Sequence, residues 1–92
     1  MSAVSLTGLL ICDSPERARI VVEHLPLHVE LTRAEPGCLS FEVAQTEDPL
    51  VWQVDELFQD AASFAAHQQR VAASEWGRAT AGIERRYEVD GA

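Results

Sequence analysis

Three histidines, His24, His28 and His67, are the side chains of this sequence best suited to move a proton near neutral pH. His67 falls near the apolar stripe of a helical segment that also carries Phe64, Val71 and Glu75. An imidazole in such a place can take a proton from a phenolic hydroxyl. The position also fits a histidine packed between helix and sheet and hydrogen-bonded to Glu56. His28 lies at the centre of another helical face, with Leu25 and Thr32 about one turn to either side. Burying a bare imidazole among apolar groups requires a partner or a purpose. The two readings are a proton relay with His67 and a satisfied core histidine. His24 and His28 have the spacing of two metal ligands on one helix. A third ligand would have to come from His67 or Glu56, and no spacing fixes that geometry, so no metal is assigned. Glu56 either orients a histidine, pairs with an arginine or serves an interface between chains.

Aromatic groups accompany these residues. Phe41, Trp52 and Trp76 would shape a pocket for a small aromatic molecule, although large apolar groups such as the tryptophans are more often plain core or interface. Arg85 and Tyr87 share one face of the last strand, placed to touch a ligand or a partner chain. Cys38 follows Glu35-Pro36-Gly37 directly, with Arg33 as its only cationic neighbour and no base beside it. That is the setting of a small buried apolar residue rather than a nucleophile. No Gly-rich phosphate loop, nucleophile elbow or cysteine-pair motif occurs, so nucleotide cofactors and serine hydrolysis lack support.

Six elements must position these groups. Val4 to Cys12 alternates as a strand, with Val4, Leu6, Gly8 and Leu10 on one face. Ser14 or Asp13 caps a helix with Pro15 at its first position. Its inward face is Ile20, Val21, His24, Leu25, His28, Leu31 and Thr32; Arg19, Glu23, Pro26 and Glu30 lie opposite. Pro26 on the solvent side predicts a bend within one helix. Pro36 ends that helix and Gly37 supplies a left-handed cap. Leu39, Phe41 and Val43 then face one side of a second strand. After the turn Thr46-Glu47-Asp48-Pro49, a third strand from Leu50 to Phe58 closes a hairpin. Asp60 caps the second helix, Gly77 ends or kinks it, and Ile83 to Val89 is the last strand. The order β-α-β-β-α-β predicts an α+β, ferredoxin-like fold, with helices on one face of an antiparallel sheet. The other face needs cover, and a second copy of the chain, making a homodimer, is the natural cover.

Composition bounds the rest. Residues 1–92 are read as a single domain with 47% hydrophobic residues, too apolar for disorder and marginal as a lone monomer. A net charge of −8 makes nucleic acid and anionic membrane poor partners. No apolar run is long enough to span a membrane. The N-terminal stretch lacks a basic region and alternates like a strand, so no signal peptide is expected. Two cysteines without metal spacing point to the cytoplasm.

Two stretches resemble the antibiotic biosynthesis monooxygenase family of the dimeric α+β barrel superfamily. One is the helix-to-strand joint Thr32-Arg33-Ala34-Glu35-Pro36-Gly37-Cys38-Leu39-Ser40-Phe41. The other is Glu56-Leu57-Phe58-Gln59-Asp60 followed by Ala65-Ala66-His67, with a Glu late on the third strand and a His eleven residues after it. The resemblance implies a dimeric barrel with His67 lining a cavity between sheet and helices, and a cofactor-free monooxygenase acting on a small aromatic quinol or polyphenol. His67 would be the leading proton acceptor, aided by His28, with Phe41, Trp52, Glu56, Trp76 and Tyr87 at the substrate. Departures temper it. The second His that often follows in the family is Ala72 here. Thr7-Gly8 and Glu75-Trp76-Gly77 stand where haem-degrading relatives carry Asn and His, so haem is not expected. The alternatives on the same scaffold are an isomerase and a non-catalytic dimer that binds a small hydrophobic ligand. The Glu35–Cys38 joint is read as a landmark and a turn, with function placed elsewhere.

Overall fold

The computed structural model describes residues 2–91. Its elements are β1 (Val4–Ile11), α1 (Pro15–Arg33), β2 (Cys38–Gln45), β3 (Val51–Phe58), α2 (Ala61–Ala72), α3 (Glu75–Ala79) and β4 (Glu84–Asp90). The strands form one antiparallel sheet in the order β2-β3-β1-β4. Each helical crossover therefore spans a strand that arrives later or earlier in the chain, which is the ferredoxin-like arrangement.

Period-2 patterning sets the buried face. Val4, Leu6 and Leu10 of β1 and Trp52, Val54, Glu56 and Phe58 of β3 are all buried under the helices, whereas Thr7, Gln53 and Asp55 on the opposite face are exposed. The cross-strand partners Gly8 and Tyr87, and Leu10 and Arg85, carry that same face onto β4. The helix starts follow capping chemistry: Ser14 accepts from the Arg17 N–H and Asp60 from the Ser63 N–H. α1 is a single helix with Pro26 on its exposed side, where the freed carbonyl meets solvent. It buries Val21, His28 and Thr32, while Leu31 remains 44% exposed.

Three local expectations are corrected. Gly37 is not a left-handed cap: Ala34 closes α1 in right-handed conformation, and among the described residues only Gly8 and Gly91 have positive φ. Gly37 is needed for clearance, since a Cβ there would lie 2.0 Å from Ser63 Oγ. Leu39 does not share the inner face with Phe41. A bulge between Cys38 and Ser40 turns Leu39 outward, 58% exposed, while Cys38 packs against the core. Gly77 does not end the second helix. The chain breaks at Ala73, and Ser74 caps α3 by accepting from the Gly77 N–H at 3.0 Å. Among the described residues no helix is long and apolar enough to cross a membrane.

Candidate active site

The helix layer stands off from the middle of the sheet and leaves a cavity of about 290 Å³. β2 and β3 contribute Phe41, Val43, Val54 and Glu56, α1 contributes His28, α2 contributes His67 and Val71, and α3 contributes Trp76. Arg85 and Tyr87 of β4 complete it. Five of the anticipated site residues besides His67 thus meet in one space: His28, Phe41, Glu56, Trp76 and Tyr87. Trp52 does not join them. It pairs with Leu10 and Gln45 at the start of β3 and belongs to the hydrophobic core.

His67 is 3% exposed and is oriented from the side away from the sheet. Its Nδ1 lies 2.9 Å from Glu35 Oε1. A carboxylate only accepts, so Nδ1 carries the proton and Nε2 is left with its lone pair. Nε2 points toward Glu56, 3.6 Å from Oε1. Glu35 is itself held: Arg70 Nε donates to its Oε2, and Arg70 Nη2 donates to Thr32 Oγ1 at 3.0 Å. Thr32, Arg70, Glu35 and His67 form one polar chain ending at a proton acceptor, the geometry in which a carboxylate fixes an imidazole's tautomer. Burial lowers the His67 pKa from its ordinary value, and the Glu35 carboxylate opposes that fall.

Glu56 is buried at 8% exposure, and its Oε1 has no hydrogen-bond partner among the described residues. Burial, and then the nearby Glu35 charge, raise its pKa to about 7. It therefore exchanges a proton in the range where enzymes work, facing a neutral imidazole. His28 is held differently. It stacks on Trp76 with ring centroids 4.5 Å apart and planes within 5°, and meets Phe41 edge-on at 5.4 Å. Its Nδ1 is buried without a partner. Burial lowers its pKa to about 3, so it is neutral at physiological pH. The ring centroids of His28 and His67 are 6.3 Å apart, which places both imidazoles in the same cavity. His24 lies apart from this pair, with its Nδ1 3.6 Å from Glu75. No cluster of three His, Cys, Asp or Glu suited to a metal ion occurs among the described residues.

The partners of His67 are what sequence reasoning missed. Glu35 sits in the joint read as mere architecture, 32 residues from His67. Arg70 carried a usable signal: three residues after His67 on a helix, it shares that residue's side. Cys38, expected as a small buried apolar residue, is half-buried and packs against the core, and burial raises its thiol pKa.

Residues 14–79 match the family described as antibiotic biosynthesis monooxygenase. Among solved structures, a conserved protein of unknown function from Bacteroides thetaiotaomicron superposes with a TM-score of 0.77 at 17% identity, covering 97% of this chain and 96% of that one. Proteins provisionally named antibiotic biosynthesis monooxygenases from Nitrosomonas europaea and Deinococcus radiodurans are also similar. The first has a TM-score of 0.75 and 18% identity, covering 99% and 98% of the two chains. The second has a TM-score of 0.74 and 20% identity, covering 99% and 92%. At these identities the likeness establishes the shared fold. No curated protein matches the chain in sequence.

Proposed function

The chain belongs to the antibiotic biosynthesis monooxygenase family, and from that premise we propose that it is a cofactor-independent monooxygenase of small aromatic quinols or polyphenols. The observation that carries this reading is the Glu35–His67 hydrogen bond at the cavity, which leaves Nε2 free to accept a proton beside Glu56. His67 Nε2 removes a phenolic proton. The resulting anion is electron-rich enough to react directly with oxygen. One oxygen atom forms a new C–O bond on the ring; the O–O bond then breaks and the other atom leaves as water. A dihydroxybenzene and O2 thereby give a hydroxyquinone and H2O, with all electrons drawn from the substrate. Glu56, exchanging its proton near neutrality, suits the protonation that accompanies O–O cleavage. His28, neutral and stacked on Trp76, offers an acceptor to a second hydroxyl. The cavity is near the lower end of ligand-pocket volumes, about 300 Å³, which favours one or two rings over larger polycycles.

The test is oxygen uptake by purified, metal-stripped protein against a panel of quinols, with His67→Ala alongside. Uptake that disappears in the variant, and whose rate rises through a limb below imidazole's usual pKa of about 6.5, supports the reading. Uptake that survives His67→Ala refutes it. Two titratable groups facing each other, His67 and Glu56, also suit a proton-shuttling isomerase. A rate unchanged under nitrogen would select that reaction. The same reading places a second copy of the chain over the outer face of the sheet, where Leu9, Ile11, Val51 and Leu57 are only half-buried. Sedimentation as a monomer at micromolar concentration would refute it.

A further inference from the structure

Arg85 lines the cavity but takes no part in the polar chain that orients His67. Its side chain is already fixed. Nη1 donates to the Thr80 carbonyl at 2.8 Å and to the Ile83 carbonyl at 3.0 Å, and Nη2 donates to Thr80 Oγ1 at 2.7 Å. Thr80 is fully buried and its hydroxyl donates to the Trp76 carbonyl, so the acceptors are themselves immobile. All three acceptors are neutral, and among the described residues no carboxylate pairs with Arg85. A guanidinium carries five N–H donors. Three are spent on Thr80 and Ile83, leaving the Nε–H and one Nη2–H, the adjacent donors of the guanidinium's side edge, with the Tyr87 hydroxyl as their neighbour. That edge matches a carboxylate in bidentate fashion.

The sheet register brings this cation to the cavity from β4, on the other side of β1 from Glu56. Glu56 is opposite Leu6 of β1, and Arg85 is opposite Leu10. Four residues of strand separate the two levels, about 13 Å, and two strand spacings separate β3 from β4, about 10 Å. Arg85 stands at the β4 side of the cavity, next to Tyr87, whose hydroxyl pKa is pushed up to about 12 by burial and pulled back by the Arg85 charge and by a hydrogen bond to the Arg85 side chain. In a chain of net charge −8, a fixed cation without a carboxylate partner at a cavity rim is a feature that selects for ligand charge.

We propose that Arg85 is a substrate-anchoring residue and that the substrate is a hydroxylated aromatic acid, with its carboxylate on the Nε–Nη2 edge and its phenolic hydroxyl at His67. The assignment of the hydroxyl rests on the oxygenase reading above; the assignment of the carboxylate does not. Because the guanidinium is already ordered by three hydrogen bonds, pairing loses little side-chain entropy. A charge-assisted contact at a partly exposed rim is then worth about five- to tenfold in affinity.

Calorimetric titration under nitrogen tests this without turnover. The probes are 2,5-dihydroxybenzoate, its methyl ester and hydroquinone, with wild type, Arg85→Gln, Arg85→Lys and His67→Ala, each checked by thermal melting. The acid is expected to bind wild type about five- to tenfold tighter than the ester. That gap should close in Arg85→Gln, be partly restored in Arg85→Lys and persist in His67→Ala. Equal affinity of acid and ester for wild type, including no binding of either, overturns the proposal whatever the variants do. So does a gap that survives Arg85→Gln. An Arg85-dependent preference for the acid with no oxygen uptake on any compound would keep this anchor and remove the oxygenase reading.

Discussion

Replacing Glu56 with glutamine should make the protein more stable, and the gain should depend on pH. The wild-type carboxyl is buried, lacks a hydrogen-bond partner on Oε1 and feels the Glu35 charge, which together raise its pKa from 4.5 to about 7. The native state therefore holds this proton more tightly than the unfolded chain does. Stability from that difference is complete below about pH 4.5 and is lost as pH rises through about 7. At about 1.4 kcal/mol per pH unit, the loss is on the order of 3 kcal/mol. Glutamine keeps the shape and cannot ionise. The stability of Glu56→Gln minus that of wild type should be flat below about pH 4.5 and climb by on the order of 3 kcal/mol by about pH 7.5. For a domain of this size that is roughly 10–20 °C in Tm. Urea titrations of both proteins at half-unit steps from pH 4 to 8 measure the difference directly, and any constant offset from the substitution drops out. A difference that stays constant across this range would refute the burial argument, and with it the proposed proton-donor role of Glu56. Glu35→Gln, which removes the second cause of the raised pKa, should move the window toward lower pH.

Glu35→Gln also frees the His67 tautomer. Nitrogen NMR should show loss of the Nδ1–H form, and any oxygen uptake should fall by about 100-fold or more, the usual contribution of a positioned base. The same variant should lose about 1–2 kcal/mol of stability, since Arg70 is 31% exposed and solvent screens its loss. His28→Phe keeps the stack on Trp76 and removes an imidazole whose pKa burial lowers to about 3. A lowered histidine pKa means that wild type loses stability as pH falls below about 6.5. The variant should lack that part of the loss, about 1.4 kcal/mol per pH unit down to about pH 3; parallel acid denaturation curves would refute it. Cys12 and Cys38, whose thiol pKa values burial raises, should resist iodoacetamide at pH 7.5 in the native protein and react fully once it is denatured. Rapid native labelling of Cys38 would contradict its assignment as a packing residue.

Much of the fold was written locally. Capping at Ser14 and Asp60, the prolines at 15 and 26, and the alternation through β1 and β3 depend on neighbours a few residues away, so their chemistry could be read directly from the chain. That alternation also put Glu56 on the face with Trp52 and Val54, although not under which part of the helix layer. Local rules failed where a second element altered the outcome. A bulge against β3 turned Leu39 outward, and the approach of Ser63, rather than a left-handed turn, required Gly37. The candidate site shows the same division. The sequence singled out His67 and His28 because an imidazole among apolar positions needs explaining. It could not pair His67 with Glu35, or send Trp76 to the cavity and Trp52 to the core. Those outcomes depend on how α2 docks over the end of α1 and how far the helices stand off from the sheet. Periodicity specifies which face of an element is buried, but the residues that meet across two buried faces are set by the offset and angle of packing, which only the assembled structure contains.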